Sequence, residues 1–230
     1  MRALVIEHDE FGPAEGVGEH LQSRGFALEI FRVLDDPQDP VSDKPFPDLG
    51  SFDLLVVTGA IWSLANTEPI ASWIHREVAL VQEAHSQGTP VLGMCFGAQV
   101  LSVALGGEVT KSPQPEIGWC PVTSDVAEVG SGPWFEWHYD QFSVPEGATE
   151  LARNAVSSQM FRSGRSLGTQ FHPEVTPLLL DEWINQGLDE MTTLGLDPDN
   201  LRTENQQRAQ ENRRQADRLV DWFLAEVAGL

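Results

Sequence analysis

Cysteine is scarce in this chain: Cys95 and Cys120 are the only two among 230 residues. Two thiols supply no disulfide framework, and neither sits at a spacing that would define a metal site. Basic residues are scarce too, 14 Lys and Arg against 35 Asp and Glu, for a net charge of −21. A surface of that sign repels nucleic acid and anionic membranes, so neither is expected as a partner. No apolar run approaches the ~20 residues that cross a bilayer. The opening "MRALVIEHDEFG" has one basic residue and too short an apolar run for a secretory leader. It reads as a first strand, and a cytoplasmic location is expected. There is neither a G-x-x-x-x-G-K-[ST] loop nor a complete G-x-G-x-x-G. ATP and dinucleotide sites built on those motifs are thereby excluded, and no cofactor is expected.

What the chain does have is alternation. "RALVIE" reads as a strand, "EGVGEHLQSRG" as a helix closed by Gly25, and "FALEIFRV" as a second strand. Asp35 to Ser51, with four prolines and five aspartates, reads as a surface loop. "FDLLVVTG" and "TPVLGM" are continuous apolar runs of the kind buried on both faces of a parallel sheet. Helical patterns follow each, "EPIASWIHREVALVQEAHSQG" and "GAQVLSVALGG". This order predicts an α/β fold, a doubly wound and mostly parallel sheet with helices on both faces. From Glu108 to Phe171 the pattern shortens into "IGWCPVTS", "WFEWHYDQFSV", "ELARNA", "SQMFRSG" and "SLGTQFH", an expected antiparallel extension of the sheet edge. Beyond Pro173 two amphipathic helical stretches are expected; covering the sheet is their preferred role, and a position near the substrate entrance is the alternative for the region from Met191 onward. Residues 1–230 read as a single domain, with a site-bearing region 1–175 and C-terminal helices over 176–230.

The chemistry concentrates at "VLGMCFGAQVLSVALGG". Cys95 lies between a predicted strand and a predicted helix, at the carboxyl end of the sheet where open α/β proteins bind ligands. Gly93-x-Cys95-x-Gly97 has the form of a nucleophile elbow, with sulfur in place of a serine hydroxyl. A packed core cysteine needs no glycine on both sides. The helix start that follows favours an anion, and the thiolate is the nucleophilic form. A nucleophile of this kind needs a base, and the base needs an orienting group. "GTQFHPEV" supplies His172 and Glu174, two apart, with Pro173 fixing the backbone between them.

"GMCFGAQ" together with "QFHPE" resembles the class I glutamine amidotransferases, whose signature is G-x-C-x-G-x-Q followed in the chain by H-P-E. The resemblance runs from the first strand to about Glu174. It implies that Cys95 attacks the side-chain amide of glutamine, that His172 protonates the departing ammonia, and that Glu174 orients His172. It also implies an oxyanion hole from the backbone amides of Phe96 and Ala60. The family has a Gly-Gly-Pro turn where this chain has "TGAIWS", so Ala60 replaces the second glycine and Ile61 the proline, and alanine tolerates fewer backbone angles. Gly59, Gln99, His138 and Asp140 are implied as substrate-binding; Gln99 has the equal alternative of packing in the first helical turn. His8 and Asp9 follow the first strand at the sheet edge where a site would lie, with a polar loop as the preferred reading; Cys120 reads as core, and Trp62 as a candidate pocket wall. Neither an ATP-pyrophosphatase nor an acceptor domain accompanies the motifs. The resemblance leads to glutamine amidotransferase-type hydrolysis of the glutamine side-chain amide, with ammonia released to a separate acceptor or synthetase; the alternatives are a stand-alone hydrolase of another γ-glutamyl amide and a non-catalytic regulatory module.

Overall fold

A computed structural model describes residues 1–230. Its nine-stranded sheet is built on β1 (Arg2–Glu7), β2 (Ala27–Arg32), β3 (Leu54–Val57) and β4 (Val91–Met94), with α1 (Glu15–Ser23), α2 (Ile74–Gln87) and α3 (Phe96–Ala104) between them. Five more strands follow: β5 (Val109–Ser124), β6 (Gly132–Phe142), β7 (Thr149–Arg153), β8 (Ser158–Ser163) and β9 (Ser166–Thr169). The order across the sheet is β2-β1-β3-β4-β9-β8-β7-β5-β6. The chain ends in α4 (Pro177–Gln186), α5 (Leu188–Thr193) and α6 (Pro198–Trp222), the last continuing as a short π-helical turn.

Strand periodicity sorts the core into two faces. Ala3, Val5, Leu54, Val56, Leu92 and Met94 pack against Val17 and Leu21 of α1 and Ala216, Leu219 and Val220 of α6. Leu4, Ile6, Leu55, Val57 and Val91 pack against Ile74, Val81 and Ala84 of α2 and Ala98 and Leu101 of α3. The helices thus cover both faces, as the continuous apolar strands require. α2 ends as its sequence predicts, at Gly88, whose φ of +78° is the left-handed helix cap that glycine adopts without cost.

Three elements differ from the sequence reading. "SLGTQFH" does not join the antiparallel extension as a whole: β9 pairs parallel with β4 and antiparallel with β8, so it closes the parallel block and begins the extension. The antiparallel β5 begins at Val109, well before "IGWCPVTS", and its register with β6 breaks between Lys111 and Glu116. Pro113 and Pro115 lie in that break, where neither can donate to the ladder. The stretch "LLLDEWINQGLDEMTTLG" is two short helices rather than one. They part at Gly187, where a methyl group would sit 2.9 Å from the Trp137 ring. That close approach turns α4 and α5 toward the carboxyl edge of the sheet. The long α6 covers the sheet as expected. None of the helices is long and apolar enough to cross a membrane.

Candidate active site

β4 ends one residue before Cys95, which takes φ +50° and ψ −108°, a backbone conformation that L-residues rarely hold. Two close approaches impose it. The Gly97 amide donates to the Thr58 carbonyl at 3.1 Å, bringing the start of α3 against the end of β3. A methyl on Gly97 would lie 2.1 Å from the Val57 carbonyl oxygen, and one on Gly93 would lie 2.5 Å from that of Gly97. The two glycines read from the sequence are therefore steric requirements of this turn. The Cys95 amide donates to the Thr169 carbonyl at 2.7 Å, which ties the turn to the end of β9.

Beyond β9 the chain brings His172 and Glu174 to the same edge. His172 Nδ1 donates to Glu174 Oε1 at 2.7 Å, and both residues are almost wholly buried. Trp183 of α4 packs edge-on to the imidazole, with ring centroids 4.9 Å apart. Burial opposes charge on His172, but the Glu174 carboxylate and the Cys95 sulfur outweigh it and hold His172 well above its ordinary value. Gly59 abuts both groups: a methyl there would lie 3.2 Å from His172 Cε1 and 3.7 Å from Cys95 Cβ. The amide of Phe96, first in α3, and that of Ala60 have no acceptor in the chain.

Gly59, Ala60, Cys95, Phe96 and His172 line a cavity of about 520 Å³, with Glu174 behind His172. Trp62, Trp137 and Trp183 form much of its apolar wall, and Gln186 and Glu190 close it from α4 and α5. The C-terminal region therefore reaches the site, through Trp183, Gln186 and Glu190, which the sequence reading had placed as cover for the sheet.

The remaining sequence candidates take varied positions. Gln99 borders the cavity, yet its amide donates to the Asp140 carbonyl and to Gln170 Oε1, both at 3.3 Å. Asp140 faces the cavity rim, where its carboxylate accepts from Ser63 Oγ at 2.5 Å and pairs with Lys111 Nζ at 2.7 Å. His138 borders the cavity too, but its Nε2 lies 3.3 Å from both Glu116 and Glu136. Burial works against its charge, and the two carboxylates more than restore it, so His138 is pushed up to about 10. Burial raises Glu136 to about 7 despite His138 beside it. Cys120 is half-buried near the same carboxylates; desolvation and their charge push its thiol up to about 12.

Two groups were not found from the sequence. Gln170, wholly buried, donates Nε2 toward Cys95 Sγ at 3.8 Å. It precedes His172 by two, just past the end of β9, and that spacing was the available signal. Lys111 carried none, because its position at the rim depends on the register break in β5. His8 and Asp9 are also not a surface loop: both are buried, Asp9 borders the cavity, and His8 lies under the Gly59 turn.

A doubly wound sheet, parallel from β2 to β9 and antiparallel beyond, with a cysteine at the sharp turn on its carboxyl edge and a histidine–carboxylate pair beside it, defines a class of α/β amidohydrolases. The family model "Glutamine amidotransferase class-I" matches residues 14–189. The chain belongs to that family. It is 28% identical over 204 residues to the glutamine amidotransferase-like protein YfeJ of Salmonella typhimurium, covering 83% of each chain. It is 31% identical over 172 residues to a γ-glutamyl-L-1-hydroxyisopropylamide hydrolase of a Pseudomonas species, 66% of this chain and 57% of that protein. It is 31% identical over 144 residues to a glutamine-hydrolysing GMP synthase subunit of Sulfurisphaera tokodaii, 58% of this chain and 73% of that one. The fold also matches a glutamine amidotransferase of Thermotoga maritima with a TM-score of 0.86, at 24% identity over 97% of this chain and 98% of that one.

Proposed function

We propose that this protein hydrolyses γ-glutamyl amides through a thioester on Cys95, with His172 and Glu174 completing a Cys-His-Glu triad within a single domain. The observation that carries the reading is the strained Cys95 turn placed beside a 2.7 Å His172–Glu174 pair at the mouth of a cavity. In this mechanism the Cys95 thiolate attacks the γ-carbonyl carbon, and the amides of Ala60 and Phe96 receive the oxyanion. Collapse of the adduct expels the amine, which takes its proton from the His172 imidazolium, and leaves the γ-glutamyl thioester. His172, now neutral, removes a proton from water; attack by that water releases glutamate and restores the thiolate. Glu174 holds the Nδ1 proton throughout, so that Nε2 alone exchanges protons. Gly59, Gln99, His138 and Asp140 shape the substrate side of the cavity, Gln99 and His138 by fixing the Asp140 backbone from behind.

The substrate we infer is an N-substituted γ-glutamyl amide. A cavity of about 520 Å³ exceeds what a free amino acid fills, and its tryptophan wall suits an apolar substituent on the amide nitrogen. The Pseudomonas relative is named for such an amide. A second reading, free glutamine with ammonia passed to a separate synthetase, is favoured by the likeness to the Sulfurisphaera protein. The deciding experiment compares glutamate release from L-glutamine and from N-alkyl γ-glutamyl amides by the purified chain. Our reading predicts a kcat/KM at least ~10-fold higher for the alkyl amides, the worth of burying one apolar side chain. Equal or better use of glutamine would overturn it in favour of the second reading.

A further inference from the structure

We propose that His8 and Glu77 are a positioning pair for the oxyanion hole: His8, held by Glu77, fixes the Gly59–Ala60 peptide so that its N–H faces Cys95. The inference rests on the hydrolytic reading above. His8 follows β1 and is fully buried, with Nδ1 3.1 Å from the Gly59 carbonyl and Nε2 2.9 Å from Glu77 Oε1. Glu77, on α2, is also fully buried. Both neighbours are acceptors, so the ring donates at both nitrogens and the pair is an imidazolium beside a carboxylate. Burial opposes that charge, but Glu77, the Gly59 carbonyl and Asp9 outweigh it and hold His8 above its ordinary value.

The carbonyl of Gly59 and the amide of Ala60 belong to one peptide plane, and no peptide in the chain is cis. In a trans peptide the two point in opposite directions. Tying the carbonyl to His8 therefore turns the Ala60 N–H away from His8, in the peptide that follows Gly59, the residue that abuts Cys95 and His172. A charged donor on the carbonyl also polarises the plane and strengthens its N–H as a donor. The restraint answers a defect in the turn itself. Ile61 stands where a proline would lock the chain, and it is 68% exposed, so its side chain anchors nothing. Thr58 Oγ1 reaches the same carbonyl at only 3.4 Å. The imidazole also packs edge-on against Phe96, centroids 4.8 Å apart, behind the second donor of the hole.

The test uses γ-glutamyl-p-nitroanilide turnover and binding of glutarate semialdehyde, which lacks the α-amine that would close the glutamate analogue into a pyrroline. The Cys95 thiolate adds to the aldehyde carbonyl carbon, forming an S–C bond as the C=O π pair moves to oxygen; the oxyanion so formed, with the proton left on His172, occupies the hole and reports it. A His8→Leu/Glu77→Leu double variant removes both charges and leaves neither orphaned. We expect kcat and semialdehyde affinity to fall together by ~10–100-fold, below the full loss of one oxyanion donor. KM and the rate of Cys95 alkylation by iodoacetamide, which forms no oxyanion, should hold. His8→Asn, whose amide nitrogen can occupy the Nδ1 position, should recover most of the loss. Should the double variant not fold, Glu77→Gln, which keeps volume and a hydrogen bond, should show part of the same joint loss. Wild-type kcat and affinity in the double variant or in Glu77→Gln, or alkylation slowed by the same factor, would overturn the proposal. A wild-type chain that cleaves no γ-glutamyl amide would refute the hydrolytic reading alone. The positioning is then read from the Ala60 amide in a ¹⁵N–¹H spectrum, which must shift and exchange faster in the variants; an unmoved signal overturns it.

Discussion

Replacing Gly97 with alanine puts the elbow geometry to its hardest test. The added methyl would lie 2.1 Å from the Val57 carbonyl oxygen, 2.6 Å from its carbon and 2.9 Å from its Cβ. Two of these are backbone atoms in the middle of the sheet, which cannot swing aside as a side chain would. The start of α3 must therefore lift away from β3, stretching the 3.1 Å bond from the Gly97 amide to Thr58. Overpacking a buried site costs ~1–3 kcal/mol, and a backbone clash belongs at the upper end. For a chain of this length each kcal/mol lowers Tm by ~2–4 °C, so Gly97→Ala should melt ~6–12 °C below wild type. Activity should fall further than stability, because lifting α3 moves Cys95 away from Gly59 and His172, and a misplacement of ~1 Å can cost ~10²-fold. Gly18→Ala is the matched control. Its methyl meets only ordinary contacts at 3.4 Å, inside α1, where alanine is preferred to glycine by ~1 kcal/mol. It should melt at or above wild type and keep full activity. Differential scanning calorimetry and γ-glutamyl-p-nitroanilide turnover measure both quantities. A Gly97→Ala chain melting within ~2 °C of wild type would refute the steric account of the elbow.

Three further expectations follow from the site. Glu174→Gln removes the charge that holds the His172 proton, and kcat should fall by ~10²–10⁴-fold with KM little changed; steady-state kinetics on one γ-glutamyl amide checks this. His138 is held near 10 against an ordinary value of 6.5, so between those pH values the folded chain keeps a proton that the unfolded chain loses. Stability is therefore fullest below 6.5 and declines as pH rises toward 10; Tm measured over that window should drop, and His138→Gln should flatten part of the decline. Trp62→Ala opens the apolar wall, and should raise KM for an N-alkyl γ-glutamyl amide by ~10-fold or more while leaving glutamine hydrolysis nearly unchanged.

The parts of this protein that were legible in the sequence are those set by short-range pattern. Leu54–Val57 and Val91–Met94 are apolar at nearly every position because both faces of the parallel sheet are covered, and the run shows that directly. Gly93 and Gly97 flank Cys95 because two backbone segments touch there, so the motif carries its own geometry. What escaped depends on tertiary pairing. β9 pairs parallel with β4 only once the chain has traversed the whole antiparallel extension, and nothing in "SLGT" says which neighbour it will take. Lys111 reaches Asp140 through a register break that spans two prolines. His8 looks like loop polarity until Glu77, on a helix 69 residues further along, closes over it. Trp183 and Glu190 enter the cavity because Gly187 lets α4 and α5 part against Trp137.

The central claim is that Cys95 carries the γ-glutamyl group. It is tested most directly by mixing the purified chain with a γ-glutamyl amide, quenching in acid during turnover, and weighing the peptide that contains Cys95. The account predicts a mass gain of one γ-glutamyl unit on Cys95, cleared by hydroxylamine as γ-glutamyl hydroxamate and absent from Cys95→Ala. Turnover that persists in Cys95→Ala, or a γ-glutamyl group carried on any other residue, would contradict it.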